Sequence, residues 1–235
     1  MDLAALLGEQ EAFHARYQPI VDVVTRAPVG YEAHLHAVAG GRAVEPVELF
    51  AAARAAGLLA ELDAVARAVA IRDAASWLGE SMLFVKLAVA AGDLPADWLA
   101  STSAAARAAG VPLRQVVLQV VQPRAGEALE RTARVVIRCR GAGAQVALVG
   151  AGDLGVVRSL VRALLPDYLT LDRSVVSRLP APDAIAVARD LLREAAAGSA
   201  GVIAFGVETE AQAAAVMELG VPWAQGWLYG RPRRV

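Results

Sequence analysis

Two kinds of segment alternate along the chain: short runs rich in Val, Ile, Leu and aromatic residues, and longer segments whose apolar positions have helical spacing. The strand-like runs are YQPIVDVV, VGYEAHLHA, MLFVKLAV, VVLQVVQ, QVALVGA, DYLTLD, GVIAFGV and AQGWLYG. The helical segments are Val47–Ala56, Leu59–Trp77, Asp97–Ala109, Glu127–Arg140, Asp153–Leu165, Asp183–Ala197 and Glu210–Leu219. Because strands that alternate with helices form parallel sheets, these eight runs predict an α/β fold, a TIM-like (βα)8 barrel.

The start of this barrel is predicted to be irregular. Only the residues TRAP, Thr25–Pro28, separate the first two strand-like runs. That connection is too short for a helical crossover, so the two runs should pair antiparallel as a hairpin. The later turn signals, such as Gly141–Gly143 and Pro180–Pro182, are also short. None is long enough to be an interdomain linker, so residues 1–235 are interpreted as a single domain.

Composition and charge narrow the classes of function. With 57% hydrophobic and 20% charged residues, the chain is typical of a folded globular protein. With a formal net charge of −1 the chain has no overall positive electrostatic potential, which argues against nucleic acid as a partner. No segment approaches the roughly 20 apolar residues of a membrane span, so we expect a cytoplasmic chain with no membrane partner. The single cysteine, Cys139, is expected to be a buried, unreactive thiol on a helix.

A glycine pattern follows the fifth strand-like run. Gly150, Gly152 and Gly155 have the spacing of a dinucleotide-binding loop, and the acidic Asp172 follows the next apolar run. On that hypothesis the chain is an enzyme that binds a dinucleotide through the loop Gly150–Gly155. The alternative is a tight strand-to-helix turn in which Asp153 caps the helix. The dinucleotide hypothesis leaves the strands before the pattern unexplained, so we prefer the turn.

Three segments carry a family resemblance that extends from Phe13 to Pro232. They are YQPIVDVVTRAPVGYEAHLHA, PDYLTLDRSVV and GVETEAQAAAVMELGVPWAQGWLYGRP. Together they resemble the EAL domain, the bacterial cyclic di-GMP phosphodiesterase module, with Glu32-Ala33 in the place of the first two letters of its name. The resemblance implies a modified TIM barrel with an antiparallel first strand, in agreement with the predicted hairpin.

The same resemblance implies a chemistry that the residues of this chain do not support. The family uses two metal ions, held by carboxylates and an Asn at the strand ends, to activate a water. Glu32, Glu208 and the Gln225-Gly226 pair match the family. The other matched positions differ: Lys86 replaces the Asn, Gln119 a Glu, Val149 and Gly150 two aspartates, Thr170 the catalytic lysine, Phe205 a Glu, and His36 a phosphate-binding Arg. We therefore predict a pseudoenzyme with no metal, no cofactor and no catalytic residue.

A remnant pocket is nevertheless expected at the strand ends. Its predicted residues are Gln18, Glu32, His36, Lys86, Gln119, Glu208 and Gln225. Lys86 should lie within ion-pairing reach of Glu32, either as an inert buried pair or as a group that contacts a ligand. His34 and His36 should face the same side of their strand, but a zinc site would need a third ligand.

Three functions remain open on this evidence. The preferred one is a catalytically inactive EAL-like regulatory domain of bacterial signalling that binds a protein partner, or its own copy as a homodimer. The second is a non-hydrolysing receptor for cyclic di-GMP or another nucleotide. The third, and weakest, is the dinucleotide-binding enzyme that uses Gly150–Gly155.

Overall fold

The strands of the protein form one closed sheet. A computed structural model describes residues 2–88, 94–121, 129–150 and 161–235. Its strands are β1 (Phe13–Asp22), β2 (Pro28–Ala39), β3 (Arg42–Val44), β4 (Met82–Lys86), β5 (Val116–Val121), β6 (Gln145–Val149), β7 (Tyr168–Leu171), β8 (Gly201–Phe205) and β9 (Trp223–Gln225). The order β1-β9-β8-β7-β6-β5-β4-β2 closes through pairing of β1 with β2, while β3 adds to β2 outside the ring. The predicted eight-stranded barrel is confirmed.

The first strand runs against its neighbours. β1 pairs antiparallel with β2 on one side and with β9 on the other, whereas the pairs from β2–β4 through β8–β9 are parallel. The hairpin expected from the short TRAP connection is therefore formed. A C-terminal residue also stabilises β1, because Tyr17 and Arg233 exchange two backbone hydrogen bonds of 2.8 and 3.1 Å.

Helices cover the outside of the barrel. They are α1 (Leu3–Gly8), α2 (Pro46–Ala56), α3 (Leu59–Ala74), α4 (Trp98–Ala109), α5 (Leu129–Gly141), α6 (161–164), α7 (Arg173–Val176), α8 (Pro182–Ala197) and α9 (Glu210–Glu218). Most of the core lies between these helices and the strands, and a smaller cluster, Ile20, Phe84, Val117, Ala147 and Ile203, fills the barrel interior. No helix within the described ranges is long and apolar enough to cross a bilayer.

Several boundaries differ from the prediction for local reasons. Helix α3 ends at Ala74 rather than at Trp77. The indole N–H of Trp77 donates a 2.8 Å hydrogen bond to the carbonyl of Asp73. The indole ring packs edge-on against Tyr17 and Tyr31. Strand β9 ends at Gln225, well before the end of AQGWLYG. The short elements α1, α7 and β3 have too few residues to give a periodic signal, and the residues 153–160 of the fifth predicted helix lie outside the described ranges.

The thiol of Cys139 lies inside this core, as expected. Its side chain on α5 is buried. Burial raises the pKa of Cys139 to about 12, because an apolar surrounding disfavours the thiolate. The only cysteine of the chain is thus unreactive at neutral pH in the folded protein.

Candidate functional site at the barrel mouth

Strand register brings the predicted polar residues to one end of the barrel interior. Side chains on a strand alternate between faces, so residues two positions from the interior cluster share its face. Gln18 is two residues from Ile20, Lys86 from Phe84, Gln119 from Val117, and Phe205 from Ile203. Glu32 pairs with Gln18 and with Phe84, and Gln225 pairs with Phe205, which puts both of them on that face.

The carboxylate of Glu32 is the centre of this group. It is buried, and its Oε2 accepts a 2.8 Å hydrogen bond from Nε2 of Gln225. The same oxygen lies 3.4 Å from Nε2 of His34, within ion-pairing distance but long for a hydrogen bond. Burial alone would raise the pKa of Glu32. The imidazole of His34, the charge of Lys86 and the Gln225 hydrogen bond outweigh burial and lower it to about 2.

Lys86 does not form the ion pair with Glu32 that we expected. Its side chain is exposed, and within the described ranges no carboxylate lies within 4.0 Å of its ammonium. The Lys86 charge still lowers the pKa of Glu32, but from a greater distance. The direct partners of the carboxylate are Gln225 and His34, and the prediction of a Lys86 pair is wrong because these groups lie closer. His34 was missed as a partner, although its spacing of two from Glu32 on one strand was a signal.

Gln119 is the most unusual polar group of the site. Its residue is completely buried, and among the described residues neither the nitrogen nor the oxygen of its carboxamide has a hydrogen-bond partner. A buried polar group without a partner destabilises a fold by about 1–3 kcal/mol. Gln119 pairs with Lys86 across β4 and β5, so the two side chains lie beside each other on the interior face.

Glu208 and Gln18 form hydrogen bonds at the rim of the barrel mouth. The Glu208 carboxylate accepts a 2.6 Å hydrogen bond from Arg173, the first residue of α7 after its cap Asp172. The backbone N–H of Glu208 donates to Gln212 in the capping box that starts α9. Gln18 donates 2.9 Å to the carbonyl of Gly230. The Glu208 carboxylate therefore forms an ion pair with Arg173 at the rim.

His36 lies farther along β2 and is shielded from water. Its ring is buried, stacks on His14 at a centroid distance of 5.8 Å, and has Nδ1 3.6 Å from Glu45. Burial, followed by the charge of Arg16, lowers the pKa of His36 to about 4, despite the opposing effect of Glu45. The imidazole is therefore neutral at pH 7 and cannot act as an arginine would.

The glycine pattern can be judged only at its first residue. Gly150 has a φ of 95°, in the left-handed region that favours glycine, and its N–H donates 3.2 Å to the hydroxyl of Thr170. Gly152 and Gly155 lie outside the described residues, as does Asp153. Dinucleotide binding through Gly150–Gly155 thus stays a prediction.

A cavity of about 430 Å³ opens beside the site. Glu32, His34 and Lys86 line its polar side, whereas Phe50 and Pro46 of α2 belong to its apolar side. Its size lies within the range of small-molecule sites. The cavity therefore offers room for an apolar or aromatic group next to the buried carboxylate.

Known proteins resemble this chain along most of its length. A family model described as the EAL domain matches residues 2–232. An uncharacterised protein of Mycobacterium tuberculosis, Rv1354c, is 27% identical over 236 residues, which cover 95% of this chain but only 37% of that protein. The chain thus spans little more than a third of this relative.

Two solved structures have the same fold. The FimX EAL domain of Xanthomonas citri in complex with c-di-GMP superposes with a TM-score of 0.88 at 20% identity, covering 99% of this chain and 92% of that one. The FimX EAL domain of Pseudomonas aeruginosa bound to c-di-GMP gives a TM-score of 0.86 at 23% identity, covering 100% of this chain and 98% of that one. At these identities the likeness shows the fold.

Proposed function

Since this chain belongs to the EAL domain family, we propose that it is a non-hydrolysing member, a regulatory domain that works by binding rather than by catalysis. The observation that carries this proposal is the set of partners around Glu32. Its carboxylate is held by Gln225 and His34, and the neighbouring interior positions carry the cation Lys86 and the neutral amide Gln119.

The residues present do not fit the two metal ions that the family implies. Two divalent cations need several oxygen ligands that carry negative charge. Within the described ranges, no three His, Cys, Asp or Glu side chains come together as a metal site. Glu208 neutralises Arg173, and the Thr170 hydroxyl accepts a hydrogen bond from Gly150. The positive charge of Lys86 would also repel a cation, so we derive no catalytic step through metal ions.

Recognition of a protein partner is the preferred role for such a domain. Trp227 follows β9 at the barrel mouth and is 50% exposed. The guanidinium of Arg231 lies 4.0 Å from its ring centroid and that of Arg173 lies 5.8 Å away. Tryptophan and arginine are the residues that most often dominate binding energy at protein interfaces. An exposed tryptophan flanked by two arginines supports a contact with another protein, and a second copy of the chain is the other candidate for this surface.

A second candidate function is that of a receptor for cyclic di-GMP. The cavity of about 430 Å³ beside Glu32 favours it, because the site keeps room for a base although its metal ligands are missing. Both FimX domains that share the fold are described as bound to c-di-GMP. The neutral His36 counts against tight binding at that position, since it cannot form the two-pronged contact of an arginine with phosphate.

Hydrolysis of cyclic di-GMP with Mg²⁺ or Mn²⁺ tests the proposal. The purified chain should release no linear dinucleotide, and the Glu32→Gln variant should be indistinguishable from it. Turnover that Glu32→Gln abolishes would contradict the proposal. Calorimetric titration with cyclic di-GMP then separates the two candidates: saturable binding without turnover assigns the receptor, whereas the absence of binding favours the protein partner.

A further inference from the structure

Charge is distributed unevenly around the barrel. Residues 1–63 contain nine acidic residues and four arginines, whereas residues 101–165 contain nine arginines and three acidic residues. The second segment includes the neighbouring strands β5 and β6 and the helices α4 and α5, and consecutive units of such a barrel lie on one side of it. The formal net charge of −1 for the whole chain therefore conceals a basic side.

Helix α5 contributes three of these arginines as one exposed stripe. The side chains that the helix buries are Thr132, Val135, Val136 and Cys139. Arg131, Arg134 and Arg138 are exposed and follow one another at spacings of three and four residues, so they lie along one face of the helix. We call these three residues the basic stripe. It is about 10 Å long, since a helix rises about 1.5 Å per residue.

The fold gains little from two of these arginines. Arg131 lies in the first turn of α5, where the positive end of the helix dipole disfavours a cation. Arg134 lies three residues from Arg131 and four from Arg138, and like charges at those spacings destabilise a helix. Within the described ranges, neither Arg131 nor Arg134 has a carboxylate within 4.0 Å of its guanidinium. Their charges are therefore available to a partner.

The rest of this face favours a protein as that partner. The guanidinium of Arg138 is held in place, because it donates 2.8 Å to the carbonyl of Ala96 and lies over Trp98, 5.8 Å from the ring centroid. An arginine fixed in this way loses less conformational freedom when it binds a carboxylate. Ile137, three residues after Arg134, is 66% exposed. Apolar and arginine contacts together are typical of interfaces between proteins.

The chemistry of the basic stripe selects among anionic partners. Surfaces that bind anionic membranes carry clusters of about four to eight cations, more than this stripe has. The phosphate backbone of a nucleic acid offers negative charge but little apolar surface for Ile137. An acidic protein helix offers both kinds of contact. Its carboxylates can recur at the spacing of the stripe and form paired hydrogen bonds with guanidinium groups, while an apolar side chain between them meets Ile137.

We infer that the basic stripe and Ile137 form a docking surface for an acidic helix of a protein partner. The carboxylates of that helix pair with the three arginines, and one of its apolar side chains packs on Ile137. This surface goes beyond the proposed contact at Trp227, and it specifies the charge of the partner. The described residues that line the cavity beside Glu32 all lie outside α5, so the inference does not depend on whether cyclic di-GMP binds or is hydrolysed.

Fluorescence anisotropy with a labelled helical peptide tests this inference on the whole chain. The probe is a peptide of glutamate, alanine and leucine whose glutamates repeat the spacing of the basic stripe, and the matched probe has lysine in place of glutamate. The glutamate peptide should bind saturably at low salt and more weakly as salt is added, because salt screens exposed charges. The lysine peptide should not bind. If the glutamate peptide does not bind, or if both peptides bind equally, the inference is wrong.

Matched pairs of arginine variants locate the contact. Arg131→Gln with Arg134→Gln should weaken binding of the glutamate peptide about tenfold or more. The same variant should keep the thermal midpoint or raise it, because it removes a cation from the first turn and a pair of like charges. Arg189→Gln with Arg193→Gln removes as many exposed charges from α8 and should weaken binding much less. Equal losses in the two double variants would overturn the assignment to α5.

The apolar contact has its own variant. Ile137→Ser should weaken binding of the glutamate peptide at high salt as well as at low salt, since salt does not screen an apolar contact. The control is Val47→Ser on α2, which removes a side chain that is 84% exposed and should leave the affinity unchanged. If Ile137→Ser binds as the wild type does, the apolar part of the surface is refuted.

Other occupants of the surface give different results with the same variants. Duplex DNA, measured by anisotropy, and phosphatidylserine vesicles, measured by cosedimentation, should bind less tightly than the glutamate peptide. Tighter binding of either probe that is lost in Arg131→Gln with Arg134→Gln would contradict an acidic helix as the occupant. Salt-sensitive self-association that the same double variant abolishes would assign the surface to the acidic residues of a second copy and would also overturn the inference.

Discussion

Gln225 donates a 2.8 Å hydrogen bond to Glu32 and so joins the last strand of the barrel to the second. The buried Glu32 carboxylate is thereby stabilised by an amide and an imidazole from the same protein. These groups favour the ionised form of the buried carboxylate. The ionisation of Glu32 is therefore part of the stability of the fold.

Acidification should lower the free energy of unfolding by protonating Glu32. The folded pKa of Glu32 is about 2, below its ordinary 4.5, so its contribution to stability is complete above about pH 4.5 and is lost as the pH falls toward 2. A shift of this size corresponds to about 3 kcal/mol. Urea unfolding at pH 7 and at pH 3 should show that Glu32→Gln loses less stability on acidification than the wild type.

The control for this prediction is Glu218→Gln at the exposed end of α9, which should keep the pH dependence of the wild type. If Glu32→Gln shows an unchanged acid profile, the carboxylate is not held ionised by the fold.

Glu32 should be coupled to His34 more strongly than to Lys86. The His34 nitrogen lies 3.4 Å from the carboxylate, whereas Lys86 is exposed and forms no described ion pair. A double-mutant cycle of Glu32→Gln with His34→Ala should give a coupling energy between about 0.5 and 3 kcal/mol. The cycle with Lys86→Ala should give a smaller coupling energy, because the Lys86 charge acts on Glu32 only from beyond ion-pairing distance. A larger coupling with Lys86 would restore the direct ion pair expected from the sequence.

The barrel could be predicted from the sequence because its signals are local. Each strand-like run and the missing crossover at TRAP can be recognised from neighbouring residues, and together they fix the parallel ring with its antiparallel first strand. The short elements could not be predicted, since α7 has four residues and begins where Asp172 caps the N–H of Ser174. The start of such a short helix depends on one capping hydrogen bond, which leaves no periodic pattern in the sequence.

The positions of several predicted residues on the strands could be deduced from the sequence, but their contacts could not. Strand ends place Glu32, Lys86 and Gln119 at one mouth, as the order of runs implies. Which group touches the carboxylate depends on side-chain reach, and there Gln225 and His34 lie closer than Lys86. No sequence pattern reports that the amide of a buried glutamine lacks a partner.

A buried ion pair on α3 should be essential to the fold near Lys86. Asp63 and Arg67 form an ion pair with both side chains almost fully buried. Asp63 also accepts 2.6 Å from the N–H of Ala88, and Arg67 donates 2.9 Å to Thr102. Burial lowers the pKa of Arg67 to about 10, which leaves it charged at pH 7.

Asp63→Ala should therefore lower the free energy of unfolding by about 3–5 kcal/mol, because it leaves a buried guanidinium without its partner. The double variant Asp63→Leu with Arg67→Met should recover part of that loss in the same denaturation experiment. The surface variant Arg42→Ala, which breaks an exposed pair with Glu48, should have a much smaller effect. A double variant that is less stable than Asp63→Ala would show that the pair itself is not what stabilises this region.

The backbone at Gly226 should tolerate no side chain. A Cβ at this position would lie 1.9 Å from the carbonyl oxygen of Val207 and 2.4 Å from its nitrogen. Both are backbone atoms, which cannot rotate away, and the N–H of Val207 already donates 3.0 Å to the carbonyl of Gln225. Gly226→Ala must therefore displace the strand end that carries Gln225, and with it the hydrogen bond to Glu32.

Gly141→Ala is the matched control, since a Cβ there meets nothing within 4 Å. By urea unfolding, Gly226→Ala should be destabilised by more than about 2 kcal/mol, in the range of overpacked cores. The control should be unchanged or more stable by up to about 1 kcal/mol. The Gly226 variant also loses the hydrogen bond from Gln225 that favours ionised Glu32. Its free energy of unfolding should therefore fall less between pH 7 and pH 3 than that of the control. Equal stability of the two variants would mean that β9 does not approach Val207 as closely as described.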